Sequence, residues 1–273
     1  MSDSNNHTLD PTGRFIRTTQ VISSFHDYVC YLGLEKDSLV QVFWYEFMNE
    51  NLTEEDQSSA LVLLENAMNI SSPYIMNILS VWKSSSPPRF YVVTEALQAP
   101  FLSDYIRSLE SLPNPKAVIK WFKSLALAVQ ALHTSAHKII HGSISTNAVF
   151  FKTASGILKL RMPLTTLSKR AISRHILDFD VYKAPERIRG MISETNDIWS
   201  LGIVLLELLT NRPAYEECRT PIDLIEKITS YKLPESLSTI TNKAAADLIR
   251  ECLQPELFRI KIEGILQNDI FQE

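Results

Sequence analysis

A change of hydrophobic period near Leu97 limits what this chain can fold into more than any other feature. Before it, short runs such as Tyr28–Leu34, Val40–Phe47 and Arg89–Thr94 mix β-branched and aromatic residues between polar turns, the pattern of strands. After it, Val118, Trp121, Phe122, Leu125, Val129 and Leu132 fall on one stripe of Pro115–His133, which is helical spacing. Asp197–Thr210 is almost entirely apolar apart from Ser200 and Glu207 and is predicted to be a buried central helix. Further helices are expected at Thr220–Ser230 and Asn242–Leu253. One more interrupts the strands from about Glu54 to Ile70, where Thr53 would cap and Glu54, Glu55 and Asp56 sit at the positive end. Ser84–Pro88 reads as a turn, and Val149–Lys152 and Gly156–Leu160 as short strands. The expected class is α+β and bilobal. A flexible N-terminal tail (1–12) leads into a small β-rich lobe with one helix (13–97), then a larger α-helical lobe (98–273), with the functional cleft at their junction.

Composition removes several alternatives. With a net charge of −4 and a pI near 5.9, the chain is not expected to bind nucleic acid. No apolar run approaches the roughly 18–20 residues that span a bilayer, so no membrane association is expected. The start, MSDSNNHTLDPTG, lacks the apolar stretch of a signal peptide. Cys30, Cys218 and Cys252 are far apart and without metal-ligand spacing; they read as reduced thiols packed as small hydrophobes, in keeping with a cytoplasmic protein.

Several ordered motifs carry a family resemblance. Ala184-Pro185-Glu186 matches the A-P-E of protein kinases, and Asp197-Ile198-Trp199-Ser200-Leu201-Gly202 matches the D-x-W-S-x-G that opens the buried helix of their large lobe. Ile139-Ile140-His141-Gly142 stands where kinases begin H-R-D. The chain resembles the with-no-lysine kinases over Gly13–Phe47, keeping Gly13-Arg14-Phe15, Gly33-Leu34 and the Trp44/Glu46 pair. IIHGSISTNAVFF and Glu251-Cys252-Leu253-Gln254 are similar to the nuclear receptor binding protein pseudokinases. The likeness runs from about Gly13 to Phe271 and implies a protein-kinase-like fold.

Laid on that family, the chemistry-bearing positions are degenerate. Ser23, Phe25 and Tyr28 fall on the glycine-rich turn, where backbone amides would otherwise approach phosphate. Tyr45 replaces the phosphate-binding lysine, and Phe43, with Thr94, lines a vestigial cleft; Phe43 and Tyr45 share a strand face and are expected to point into it. Tyr28 also occupies the position of the with-no-lysine family's substitute lysine. Leu63 replaces the helix glutamate, and Glu65, roughly 200° around the helix, faces elsewhere. Ser143 stands for the general base, Ser145 for the loop lysine and Ala148 for the magnesium-binding asparagine. Met162-Pro163-Leu164 falls on D-F-G, so Met162 replaces a metal carboxylate. The resemblance implies structural roles for His141, packed in the core, for Glu186 paired with Arg259, and for Asp197 accepting from the backbone of the His141 loop.

These replacements lead to the expectation of a pseudokinase, not an enzyme, that takes neither ATP nor magnesium and no other metal. It would act in intracellular signalling as a scaffold, adaptor or allosteric regulator binding other proteins. The alternatives are a nucleotide-binding, non-catalytic sensor and an aberrant serine/threonine kinase with residual ATP-dependent activity. Candidate docking faces are Met162–Pro185 and Glu54–Asn69. Lys169, Arg170 and Arg174 form either a docking patch or a solvated loop. The chain ends about where a kinase fold ends, so accessory domains are not expected; oligomeric state is left open.

Overall fold

The computed structural model describes residues 8–24, 28–48, 54–85, 88–152, 155–162 and 180–271. It contains two compact units. One comprises the described residues up to Ser71 together with Met76–Leu97; the other comprises Ser72–Ile75 and the described residues from Gln98 onward. Together they give the α+β class.

The N-terminal unit is a six-stranded antiparallel sheet plus one helix. Its strands are β1 (Thr8–Leu9), β2 (Phe15–Ser24), β3 (Tyr28–Glu35), β4 (Gln41–Met48), β5 (Ile78–Ser85) and β6 (Pro88–Glu95), in the order β1-β2-β3-β4-β6-β5. Successive side chains alternate between faces. One face buries Phe15, Val42, Trp44 and Val93, with Tyr31, Leu79, Trp82 and Tyr91 packed against them. On it Trp44 meets Trp82 edge to face at 4.9 Å, and Trp82 stacks on Tyr91 at 5.0 Å. Glu46 is buried and is held by Arg17 Nε at 3.1 Å and Arg89 Nη1 at 2.8 Å. Helix α1 (Glu54–Met68) buries Ala60, Leu64 and Ala67, spaced one helical turn apart, and packs on β5.

Residues 8–12, assigned above to a flexible tail, are ordered. β1 pairs with β2, and the buried Asp10 carboxylate accepts the Phe15 N–H at 2.8 Å and the Thr12 hydroxyl at 2.6 Å. A polar run was read as solvated; its acid instead closes a turn.

The C-terminal unit is helical: α2 (Leu102–Arg107), α3 (Pro115–His133), α4 (Pro185–Ile188), α5 (Glu194–Thr210), α6 (Pro221–Thr229), α7 (Lys243–Cys252) and α8 (Ile262–Leu266). A hairpin of β7 (Val149–Lys152) and β8 (Ile157–Leu160) packs on α3. The apolar stripe of α3 is buried as its spacing requires, and Asn114 caps the helix by accepting the Lys116 N–H at 2.9 Å. α5 is the central element, buried along almost its whole length and packed on α3 and α7. It begins three residues before Asp197 because Asn196 Oδ1 accepts the Ser193 N–H at 2.9 Å, fixing the start at Glu194. Phe151 of β7 packs against Tyr105 and Trp121, at 4.4 and 4.8 Å between ring centroids. No helix among the described residues is long and apolar enough to cross a membrane.

Among the glycines of this unit the closest approach is at Gly202 of α5, where an added Cβ would lie 2.6 Å from Cβ of Cys252 on α7. A Cβ–Cβ collision cannot be relieved by rotating a side chain, so the helices must separate. Gly202→Ala is expected to destabilise the fold by about 1–3 kcal/mol. It should lower the urea midpoint with little change in slope; an unchanged midpoint would show that the two helices yield freely.

Candidate functional site

The segment between α3 and β7 is held by one carboxylate. Asp197, in the first turn of α5, is fully buried. Its Oδ2 accepts the backbone N–H of His141 at 2.8 Å and meets His133 Nε2 at 2.8 Å, while Oδ1 accepts the Gly142 N–H at 2.7 Å. The His141 ring is buried too. Its Nδ1 accepts the Ser143 N–H at 3.2 Å, which leaves the proton on Nε2 to be donated to the Arg161 carbonyl at 2.7 Å. Burial holds the His141 pKa below its ordinary value, against the opposing attraction of Asp197. Gly142 has φ +69°, a conformation that favours glycine, and a Cβ there would lie 3.6 Å from Nη2 of Arg187. Arg187 is buried beside it; its Nη1 has no hydrogen-bond partner among the described residues, and burial lowers its pKa.

Beyond this clamp, Ser143 is exposed and Ser145 half-buried, and Ala148 closes a 3₁₀ turn (Thr146–Ala148) with its side chain inside. Ala148 O accepts the Arg161 N–H at 2.8 Å, and Met162, the next residue, is buried. A second network ties this turn to α5. Thr146 Oγ1 and the Tyr182 hydroxyl are 2.8 Å apart, and Tyr182 donates to Glu207, which also accepts the Ala214 N–H at 3.0 Å. Burial raises the pKa of Glu207, Tyr182 and Asp180. Glu186 is paired with Arg259 in a buried two-point contact, whose outer bond, Nη2 to Oε2, is 3.1 Å. Asn196 Nδ2 also donates to Glu186 at 3.0 Å, and the Arg259 guanidinium lies 5.3 Å from the Trp199 ring centroid.

The remaining candidate residues lie in the N-terminal unit. Tyr45 and Tyr28 are buried there, 5.6 Å apart edge to face, and Phe47 packs against both. Phe43 is half-buried and stands opposite the fully buried Thr94 in the β4–β6 register. β2 continues as a strand through Ser23 and Ser24. Leu63 is half-buried and Glu65 exposed on α1. Phe25, Pro163, Leu164, Lys169, Arg170, Arg174 and the cap Thr53 lie outside the described residues.

The structure thus brings His141, Ser143 and Asp197 together in one unit, and joins Glu186 with Arg259. Sequence reasoning missed His133, Arg187 and the Thr146–Tyr182–Glu207 chain. Glu207 was legible as the one acid in the apolar run of α5 after Asp197, which requires a buried partner; nothing local to Tyr182 or His133 pointed to theirs.

Two outcomes follow. Asp197→Ala strands two backbone N–H groups and His133 inside the unit and is expected to cost about 3–5 kcal/mol in denaturant unfolding. The pH dependence has a defined sign. Because burial depresses the pKa of His141, its contribution is complete above its ordinary value of 6.5 and is lost as pH falls below it, where the unfolded imidazole binds the proton first. Glu207 and Asp180 act oppositely, since their raised pKa values favour the fold at lower pH and that contribution fades as pH rises. Thermal unfolding of His141→Gln is therefore expected to lose less stability than the wild type between about pH 7.5 and 5.5; equal slopes would exclude the ring as the source.

Residues 29–271 match the protein kinase domain family. The chain is 25% identical over 267 residues to the mouse serine/threonine-protein kinase WNK3, covering 96% of this chain and 15% of that protein. It is 22% identical over 269 residues to the Drosophila melanogaster serine/threonine-protein kinase Wnk, covering 97% and 11%. To the serine/threonine-protein kinase pkpA of Phycomyces blakesleeanus it is 25% identical over 257 residues, covering 94% and 41%. The chain therefore spans less than half the length of each of these relatives. The matched domain and the names of the relatives point to an enzyme, which corrects the expectation that the chain is not one. They also correct the expectation of no cofactor, since the family points to ATP and magnesium. At the two positions that the family resemblance assigns to magnesium, the C-terminal unit has the Ala148 methyl and the buried Met162 thioether, and neither is the hard oxygen ligand that magnesium takes. The correspondence over most of its length establishes that this chain belongs to the protein kinase domain family, in a form related to the with-no-lysine kinases.

Proposed function

We propose that this chain is an aberrant serine/threonine protein kinase domain with slow, residual ATP-dependent activity. The observation that carries the reading is the Asp197 clamp, which fixes the backbone of His141 and Gly142 and leaves Ser143 exposed on the same loop. Phosphoryl transfer is mostly positioning plus charge neutralisation, so a fixed loop supports rate even where charged groups have been replaced. A serine at the base position can orient an acceptor hydroxyl by a hydrogen bond but takes up no proton. The missing base alone slows transfer by roughly 10²–10⁴.

A second reading concerns partners. In the buried Tyr28–Tyr45–Phe47 cluster, aromatic packing takes up Tyr28 and Tyr45, the positions that the family resemblance assigns to the phosphate-binding lysine and its substitute, which favours a domain that also works by binding other proteins. The described cysteines are free thiols, in keeping with a cytoplasmic site of action in signalling.

The test is phosphate incorporation from isotopically labelled ATP into the protein and a serine/threonine peptide mixture, read by mass spectrometry. Wild type is expected to incorporate slowly. Ser143→Asp, which restores a carboxylate on the held loop, should accelerate transfer by up to about 10²–10⁴, and Ser143→Ala should not. Absence of incorporation in both the wild type and Ser143→Asp would overturn the reading.

A further inference from the structure

We infer that the C-terminal unit carries a docking groove for an acidic peptide segment, at the start of α3. The groove encloses about 560 Å³, a size that takes several side chains. Its wall is a single exposed face of α3: Lys116, Lys120 and Lys123 recur at one-turn spacing and all point to solvent. Its floor is apolar, formed by Ile119, Ile270 and Phe271. Phe271 is anchored by stacking on Phe122 at 6.2 Å, and Lys123 Nζ lies 5.5 Å from its ring centroid. None of the three lysines pairs with a carboxylate among the described residues. Asn114 and Asn242 also line the groove; each Oδ1 accepts a backbone amide, of Lys116 and Ala245, and each Nδ2 is a donor that can add to the lysines in meeting a carboxylate.

Charge complementarity selects the occupant. Three cations with no carboxylate partner among the described residues, gathered on one groove, stand out in a chain of net charge −4. Close by, they attract carboxylates. Beyond roughly 8 Å screening takes over, and a long polyanion would also meet the negative remainder of the surface. A nucleic acid strand or an anionic membrane extends well past the groove, whereas a short peptide does not. The apolar floor calls for a Leu or Phe side chain between the acids. The partner that fits is therefore an extended segment with Asp or Glu flanking an apolar anchor, engaging through salt-sensitive contacts to lysine and burial against Ile119 and Phe271.

The experiment is fluorescence anisotropy of the full chain with a labelled peptide carrying Asp and Glu around a Leu-Phe pair, beside a charge-reversed peptide. The acidic peptide is expected to bind, to weaken several-fold as salt rises to physiological strength, and to bind at least about tenfold more weakly to Lys116→Glu/Lys120→Glu. Lys120→Arg should keep the affinity. In the wild type, peptide addition should raise hydrogen-exchange protection in the first turns of α3, which holds the inference open to refutation even if the double variant folds poorly. No binding, equal binding to a stably folded double variant, unchanged α3 protection, or preference for phosphatidylserine vesicles or a single-stranded oligonucleotide over the peptide would each overturn it. The readout is binding alone, so its failure is distinct from any failure of phosphate incorporation.

Discussion

A carboxylate in a dry interior is stable only where directed N–H groups replace the water it has lost, and the C-terminal unit is organised around one such group. Asp197 receives the backbone amides of His141 and Gly142 and the His133 ring on its two oxygens. Its position in the first turn of α5 adds the favourable field of the helix N-terminus. Because α5 packs on α3 and α7, the carboxylate is as fixed as the unit's core, and the loop that donates to it inherits that rigidity. The exposed Ser143 is thereby held by a backbone whose neighbours on the chain are tied down.

Glu186 and Arg259 do the same for the segment after Asp180. They come from α4 and from beyond α7, and Asn196 at the start of α5 joins them. The second guanidinium in this region, Arg187, has no such partner for Nη1 among the described residues and sits over a glycine. A Cβ at position 142 would already be in contact with Arg187 Nη2 at 3.6 Å, so a longer side chain there would compete with the guanidinium for the same space. The left-handed backbone at Gly142 brings its amide to Asp197.

Much of this was legible in the residues, for identifiable reasons. Helix α3 declares itself because six apolar residues keep a 3.6-residue period, and α5 because so apolar a run has nowhere to go but the core. The Glu186–Arg259 pair lies 73 residues apart and could be anticipated only through family likeness. What escaped were contacts that depend on tertiary geometry alone. Asp10 looks like any tail acid until β1 pairs and its carboxylate turns inward. Tyr182, Thr146 and Glu207 lie on three separate segments whose approach no local pattern encodes. The chemical inference erred at another level: position-by-position loss of charged groups was taken as loss of enzyme and cofactor, while membership of the kinase family points to both.

The two findings reconcile when folding and reactivity are separated as free energies. Asp197, Glu186 and Arg259 contribute to the unfolding equilibrium whether or not a ligand is present, because each meets its partner inside the chain. Carboxylates gathered to hold a cation do the reverse: until the cation arrives they repel one another, and the fold must tolerate that strain. Ser143, Ala148 and Met162 carry no charge and impose no such repulsion, so the unit retains its clamp without opposing it. A domain built this way keeps its internal clamps without the repulsion that an empty cation site would impose. Restoring one charge to the held loop therefore asks whether chemistry was limited by the missing group or by the geometry around it.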